Sequence, residues 1–334
     1  MKQILYLLAA VSCFAFSACS SGDKPESDRI KIKRFDLCLL NSFESDTADT
    51  ALFTEEYSSI LNIYATGIIK CSAPGDSAGK FISDLKSVYT STGAFRQLYK
   101  ETAENYPDLK ETEKELSCAF VRYKSLFPDK RIPAIYSHVS GFSQSIILSD
   151  SLLSISLDNY LGQNYPGYKG SVFDYQLKNR ERSRIALDAL TACLYKEFPY
   201  GRKTRQVIDG IIYEGGIIYA ASSVFPEKEI SEILNYSPEQ AEWCDKNEKK
   251  IWSYMVRSGH LYSSDPLIYS KYLNEAPYTS FFGQESPDRI GKWTGYRIIA
   301  QYIKRTGDRN ALRKILGGEY DASDILLKSE YGNR

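Results

Sequence analysis

The sequence predicts an α+β protein, mostly α, in which a small mixed β-sheet precedes a helical C-terminal half. Three observations carry this. R-I-K-I-K-R-F-D-L-C-L-L (29–40) opens with apolar/polar alternation, and I-P-A-I-Y-S-H-V (132–139), Q-S-I-I-L-S (144–149) and L-L-S-I-S-L (152–157) are short β-prone runs divided by turn residues. From about Phe53 to Phe127, and again from about Arg180 onward, apolar residues recur at helical spacing. The later helices also have marked starts. Ser237-Pro238-Glu239-Gln240 joins an N-cap serine, a proline at the first helical position and a glutamine that closes a capping box, and Ser286-Pro287-Asp288 repeats the serine-proline start.

The chain begins with the short basic start M-K-Q and an apolar run from Ile4 to Phe16. That run is too short for a mature transmembrane helix, and its flanks fit a signal peptide over residues 1–18. It ends in F-S-A-C (16–19), which resembles a bacterial lipobox with Cys19 as the acylated residue. Three acyl chains on Cys19 give stable anchoring where one chain is marginal. The alternative is an ordinary secreted protein cut near the same place. Ser20, rather than aspartate, follows the cysteine, which favours the outer membrane. The acids Asp23, Glu26 and Asp28 are scattered rather than grouped as a surface-export signal, so the periplasmic face is expected rather than the cell surface. Residues 19–28 then read as the lipidated N-terminus and a polar flexible tether.

The mature part, residues 29–334, reads as one domain, with the sheet in 29–168 and helices in 169–334. The 334 residues hold 42 basic and 42 acidic side chains, so no basic stripe points to nucleic acid. There are 26 tyrosines but only 2 histidines. Tyrosine-rich surfaces bind glycans or protein partners, and a compositional bias gives the same count. Past Cys19 come Cys38, Cys71, Cys118, Cys193 and Cys244, an odd number at wide spacing with no C-x-x-C. That pattern argues against a disulfide scaffold or a cysteine zinc site while leaving one or two bridges open.

In order, 29–40 is the first strand, and the helical stretch that follows breaks near S-A-P-G-D-S (72–77) and at Tyr106-Pro107. The runs at 144–149 and 152–157 form a hairpin around Ser149–Ser151. D-N-Y-L-G-Q-N-Y-P-G-Y (158–168) is a turn-rich exit from the sheet. R-I-A-L-D-A-L-T-A-C-L-Y (184–195) and the stretch from about Thr204 to Phe225 are helices, the second centred on I-I-Y-E-G-G-I-I-Y (211–219).

Several of these runs resemble the gliding-motility-associated lipoproteins of the GldB family. They are D-N-Y-L-G (158–162), E-Q-A-E-W-C-D-K-N-E-K-K-I-W (239–252), L-Y-S-S-D (261–265), E-A-P (275–277), E-S-P-D-R-I-G-K-W-T-G-Y-R-I-I (285–299) and S-E-Y (329–331). The match runs in order from roughly Arg29 to the C-terminus. Asp288 stands where that family pattern implies glycine, and Tyr296 where it implies tryptophan. The resemblance implies a lipid-anchored envelope protein that supports gliding, secretion machinery or a related envelope process. It implies protein partners in the envelope and no cofactor.

The layout also resembles a degenerate gluzincin-type peptidase fold, in which a small sheet leads to a helix bearing H-E-x-x-H and the next helix supplies a glutamate ligand. Two imidazoles at i and i+4 are what that zinc chemistry needs. The corresponding helix here offers Asp188 and Ala192, and His138 and His260 lie elsewhere, so no metal site is expected. No G-x-S-x-G elbow, Walker loop or Rossmann fingerprint is present. The chain is therefore expected not to be an enzyme. The competing hypothesis is a periplasmic hydrolase or glycan-binding protein with an acidic cleft around Asp188 and Glu214, where two carboxylates share acid and base roles.

Other candidate residues are weighed against packing. Gly291 and Gly295, in G-K-W-T-G-Y with Trp293 and Tyr296, have the spacing that admits another helix backbone, and tight packing is preferred there to a ligand cleft. Trp243 and Trp252 lie nine apart, off one helical face, so at least one is a candidate protein contact. Glu214 shares a face with Val207, Ile211 and Ile218 and is expected to be a buried structural acid. Its expected partner is Arg184 or a tyrosine hydroxyl, with Gly215 and Gly216 drawing in the preceding helix.

Overall fold

The structure is a computed structural model describing residues 29–44, 55–71, 78–91, 93–201 and 206–332. The expected signal peptide and tether, with Cys19, lie outside the described residues, as does the break expected at 72–77.

The first strand is shorter than the alternation suggested. Only Ile32–Lys33 pairs as β1, and the chain turns at once into helix α1, Phe35–Glu44. The reason lies in the second half of the run, where Phe35, Leu39 and Ser42 are buried at helical spacing and Asp36 sits in the first turn. Helix α2, Glu55–Ile63, continues as a π-helical stretch, Tyr64–Ile69. Then come α3, Ala78–Ser91, α4, Gly93–Asn105, and α5, Lys110–Leu126, with the expected break at Tyr106–Pro107 between the last two.

Strands β2, Ala134–His138, β3, Ile146–Leu148, and β4, Leu152–Ser156, complete a four-stranded sheet in the order β1-β2-β4-β3. β1, β2 and β4 are parallel and β3 pairs antiparallel with β4, closing the expected hairpin. Ile135 stands opposite Leu153 in the register. The sheet is covered on both faces, as a mainly parallel sheet requires. Ile135, Leu153 and Ile155 enter the larger hydrophobic core, formed with α5 and the C-terminal helices. Tyr136 and Leu152 enter a second core built from α1 to α4. This alternation is why β4 is buried at every position.

After short 3₁₀ turns come α6, Ile185–Glu197, and α7, Val207–Val224. α7 is long and apolar enough to cross a membrane by length and composition, but 78% of it is buried inside the fold. A helix apolar all round is a core helix here. α8, Ile230–Leu234, is followed by α9, Pro238–Arg257, whose Ser237 and Gln240 form the expected capping box. α10, Pro266–Leu273, α11, Ile290–Thr306, α12, Ala311–Leu316, and α13, Ala322–Ser329, end the described chain.

The start of α11 differs from expectation. Ser286 is not its N-cap; its hydroxyl donates to the Thr279 and Gly283 carbonyls at 3.1 and 2.7 Å. The helix begins after Arg289, which adopts left-handed backbone geometry at φ 51°. Asp288, which stands where the family pattern implies glycine, is 1% exposed. Arg289 donates to its two carboxylate oxygens at 2.8 and 3.3 Å, so the buried charge is paired. The five cysteines of the described residues form no disulfide with one another.

Candidate functional site

Glu214 projects from the middle of α7 into a three-residue cluster. Its Oε2 accepts a 2.5 Å hydrogen bond from the Tyr195 hydroxyl on α6 and pairs at 2.8 Å with Lys292 Nζ on α11. Lys292 Nζ also donates to the Tyr195 oxygen at 3.0 Å. The ammonium therefore bridges carboxylate and phenol, and its charge lies 5.5 Å from the Tyr195 ring centre. Side-chain exposures of 15% for Glu214 and 16% for Lys292 put the pair at the edge of the core rather than inside it. Burial, then the negative charge of Glu214, push the Tyr195 hydroxyl well above the usual tyrosine range. A tyrosine hydroxyl is the partner, as expected; the lysine is not legible in sequence because it comes from 78 positions away.

Asp188 belongs to a different cluster. Its Oδ1 accepts from Arg184 Nη2 at 3.0 Å, an i,i+4 pair along α6, and its Oδ2 accepts from the Tyr160 hydroxyl at 3.2 Å. Arg184 therefore serves Asp188, not Glu214, and also donates to the Glu232 carbonyl at 2.7 Å. Although 27% of the Asp188 side chain meets solvent, burial of its carboxyl raises the pKa, opposed by Arg184 and Tyr160. Both oxygens of Asp188 are thus engaged, and Glu214 is engaged by different residues. The two carboxylates do not share a partner.

The D-N-Y-L-G run supplies Tyr160 and a second buried acid. Asp158 is 0% exposed and accepts backbone N–H groups of Ser140 and Phe142 at 3.1 and 2.8 Å, together with the Ser156 hydroxyl. Burial nevertheless raises its pKa. Asn159 accepts from Arg180 and donates to the Ser140 hydroxyl at 3.1 Å. These residues tie the turn leaving the sheet to the loop after β2, a role that sequence reasoning missed. An acid followed by an amide at the end of a buried strand was the available signal.

The remaining candidates occupy packing positions. Gly295 of α11 lies against Gly215 and the Ile211 carbonyl of α7, and Gly291 lies against Leu273 and the Tyr272 carbonyl. Gly216 faces Ile315 and Leu316. Gly215 and Gly216 therefore admit α11 and α12, not the preceding helix as expected from the sequence. Trp293 is buried beneath the Arg297 guanidinium. Tyr296 packs against Tyr219, with ring centres 6.1 Å apart. Trp243 and Trp252 are both half-buried, against Phe282 and Tyr331 respectively.

Neither histidine adjoins the two carboxylates. His138 is 0% exposed, with Nδ1 2.8 Å from the Ser154 hydroxyl, and burial holds its pKa down at about 3. His260 Nδ1 lies 2.9 Å from the Tyr272 hydroxyl. Among the described residues, no group of three or more His, Cys, Asp or Glu side chains is placed to hold a metal ion.

No curated protein and no solved structure matches the chain. The profile of a family described as "Gliding motility protein GldB" matches residues 21–333. That span takes in the D-N-Y-L-G turn, α6, α7 and the Lys292-bearing helix. On that match, the chain belongs to the GldB family of gliding-motility-associated lipoproteins.

Proposed function

We propose that this protein is a non-enzymatic envelope component, held to the periplasmic face of the outer membrane by acyl chains on Cys19. It supports gliding or secretion machinery, or a related envelope process, through protein partners. The observation that carries the non-enzymatic reading is the separate engagement of the two candidate carboxylates. Asp188 is held by Arg184 and Tyr160, and Glu214 by Lys292 and Tyr195. Acid and base catalysis by a carboxylate pair needs both groups directed at one substrate, with environments that separate their pKa values. Two internally bonded carboxylates serve stability instead. The order of small sheet, Asp188 helix and Glu214 helix also supports a gluzincin-like body in which structural contacts occupy the positions of the catalytic ones.

The test replaces the chromosomal gene with Asp188→Asn or Glu214→Gln and follows gliding or secretion. Function should track the amount of folded protein in the envelope. A variant that keeps its melting temperature and envelope level yet loses the cellular phenotype would mark a catalytic carboxylate and overturn the reading.

A further inference from the structure

A cavity of about 180 Å³ opens where the turn leaving the sheet meets the end of α4. Tyr160, Leu161 and Gly162 of the D-N-Y-L-G run form one wall, Tyr106 another, and Glu181 and Arg182 a third. The wall is held in place by hydrogen bonds. The Tyr106 hydroxyl donates to the Tyr160 carbonyl, and the Gly162 N–H donates to the Arg180 carbonyl at 2.9 Å. Arg182 donates to the Asn105 carbonyl, with its guanidinium carbon 4.2 Å from the Tyr106 ring centre. Glu181 Oε1 accepts from the Gln163 N–H at 2.9 Å. At Gly162, φ is +94° and nothing stands within 4 Å of where a Cβ would be, so the mouth is open there.

The charges at this cavity differ from those elsewhere in the molecule. Asp188, Glu214 and Asp288 are each ion-paired. Among the described residues, no ion pair is formed by Glu181 or by Arg182, although the two are neighbours lining one cavity. One fixed anion beside one fixed cation is complementary to a ligand that carries both signs. A simple anion meets Glu181 as a repulsive neighbour, and a simple cation meets Arg182. We propose that the cavity binds a small zwitterion of the α-amino-acid type. Its carboxylate accepts from the Arg182 guanidinium, and its ammonium donates to Glu181. Both bonds are charge-assisted, the stronger class of hydrogen bond. Leu161 receives a short apolar side chain, and the volume suits one small residue rather than a polymer. Because the two charged groups are already positioned, little ordering cost opposes binding. The proposal is independent of the envelope reading.

The test titrates the full mature protein with L-alanine and D-alanine, and separately with acetate, methylamine and phosphoethanolamine, by ligand-observed NMR or calorimetry. At least one alanine enantiomer is expected to bind, while acetate and methylamine do not. Glu181→Gln and Arg182→Gln should each weaken alanine binding by about tenfold or more, the effect of losing one charge-assisted bond. Glu181→Gln keeps an acceptor for the Gln163 N–H, and the melting temperature of each variant is measured beside its affinity to separate lost folding from lost binding. The proposal is overturned if neither enantiomer binds, if acetate or methylamine binds as tightly, or if phosphoethanolamine binds more tightly than alanine. Unchanged affinity in both variants also overturns it. The wild-type panel decides the matter even if a variant fails to fold.

Discussion

Gly215 of α7 and Gly295 of α11 bring two helix backbones into direct contact. A Cβ on Gly215 would stand 2.6 Å from the Gly295 Cα, and a Cβ on Gly295 would stand 2.9 Å from the Gly215 Cα. No side chain fits between them. This crossing also positions Lys292, one turn before Gly295, over Glu214, one residue before Gly215. Close packing and the ion pair therefore depend on the same contact.

Gly295→Ala should destabilise the fold by about 2–4 kcal/mol, because the methyl group collides with backbone that cannot rotate away. Gly93→Ala, where nothing stands within 4 Å of the added atom, should be neutral or slightly stabilising. Urea unfolding of the two variants checks the contrast; equal effects would show that α7 and α11 do not cross at this contact.

Glu214→Ala should cost about 2–4 kcal/mol, because it leaves Lys292 and the Tyr195 hydroxyl without their shared acceptor. Glu214→Gln keeps the shape and the tyrosine bond and should cost about half as much. A double-mutant cycle with Lys292→Met should return a coupling of about 1–2 kcal/mol. Additive effects would mean the pair is not formed in solution.

His138 gives the protein an acid-side instability. Its folded pKa, about 3, lies below the ordinary value of 6.5 because the ring is buried. The unfolded chain thus takes up a proton that the folded one refuses, so stability is complete above the unfolded pKa and falls as pH drops below it. Between roughly pH 8 and pH 5 this group should remove about 2 kcal/mol. Asp158 and Asp188, whose pKa values are raised by burial, act in the opposite sense, losing stability as pH rises through their folded values. Comparing the pH slope of wild type with that of His138→Asn isolates the histidine. A slope unchanged by the substitution would refute its neutral burial.

Cys19→Ser should remove the acylation site and release the protein from the membrane fraction, or leave it unprocessed with its leader attached. Fractionation and intact mass of the two forms provide the measurement. Wild-type levels of the variant in the outer-membrane fraction would contradict lipid anchoring.

Mature protein purified without added metal should carry no stoichiometric zinc and lose no stability to chelator. Elemental analysis that returned one tightly bound equivalent would overturn this.

Local patterns in the sequence reached a long way. Short β-prone runs divided by turn residues located β2, β3 and β4, the Ser237 cap opened α9, and the motif order identified the family. These features depend on neighbours a few residues apart, and backbone geometry turns such spacing directly into strand, cap or helix. The apolar face that Glu214 shares was legible for the same reason, whereas its tyrosine hydroxyl partner was one of two residue types expected, with no position attached. Tertiary structure decided the rest. It placed Lys292, rather than Arg184, on Glu214, and it aimed Gly215 and Gly216 at α11 and α12 instead of α6. It turned Phe35–Leu40 from strand into the start of a helix and set Asp288 in the interior beside Arg289. Each of these outcomes depends on which helix packs where. Helix crossing and charge pairing join residues tens to hundreds of positions apart, and no local periodicity encodes that choice.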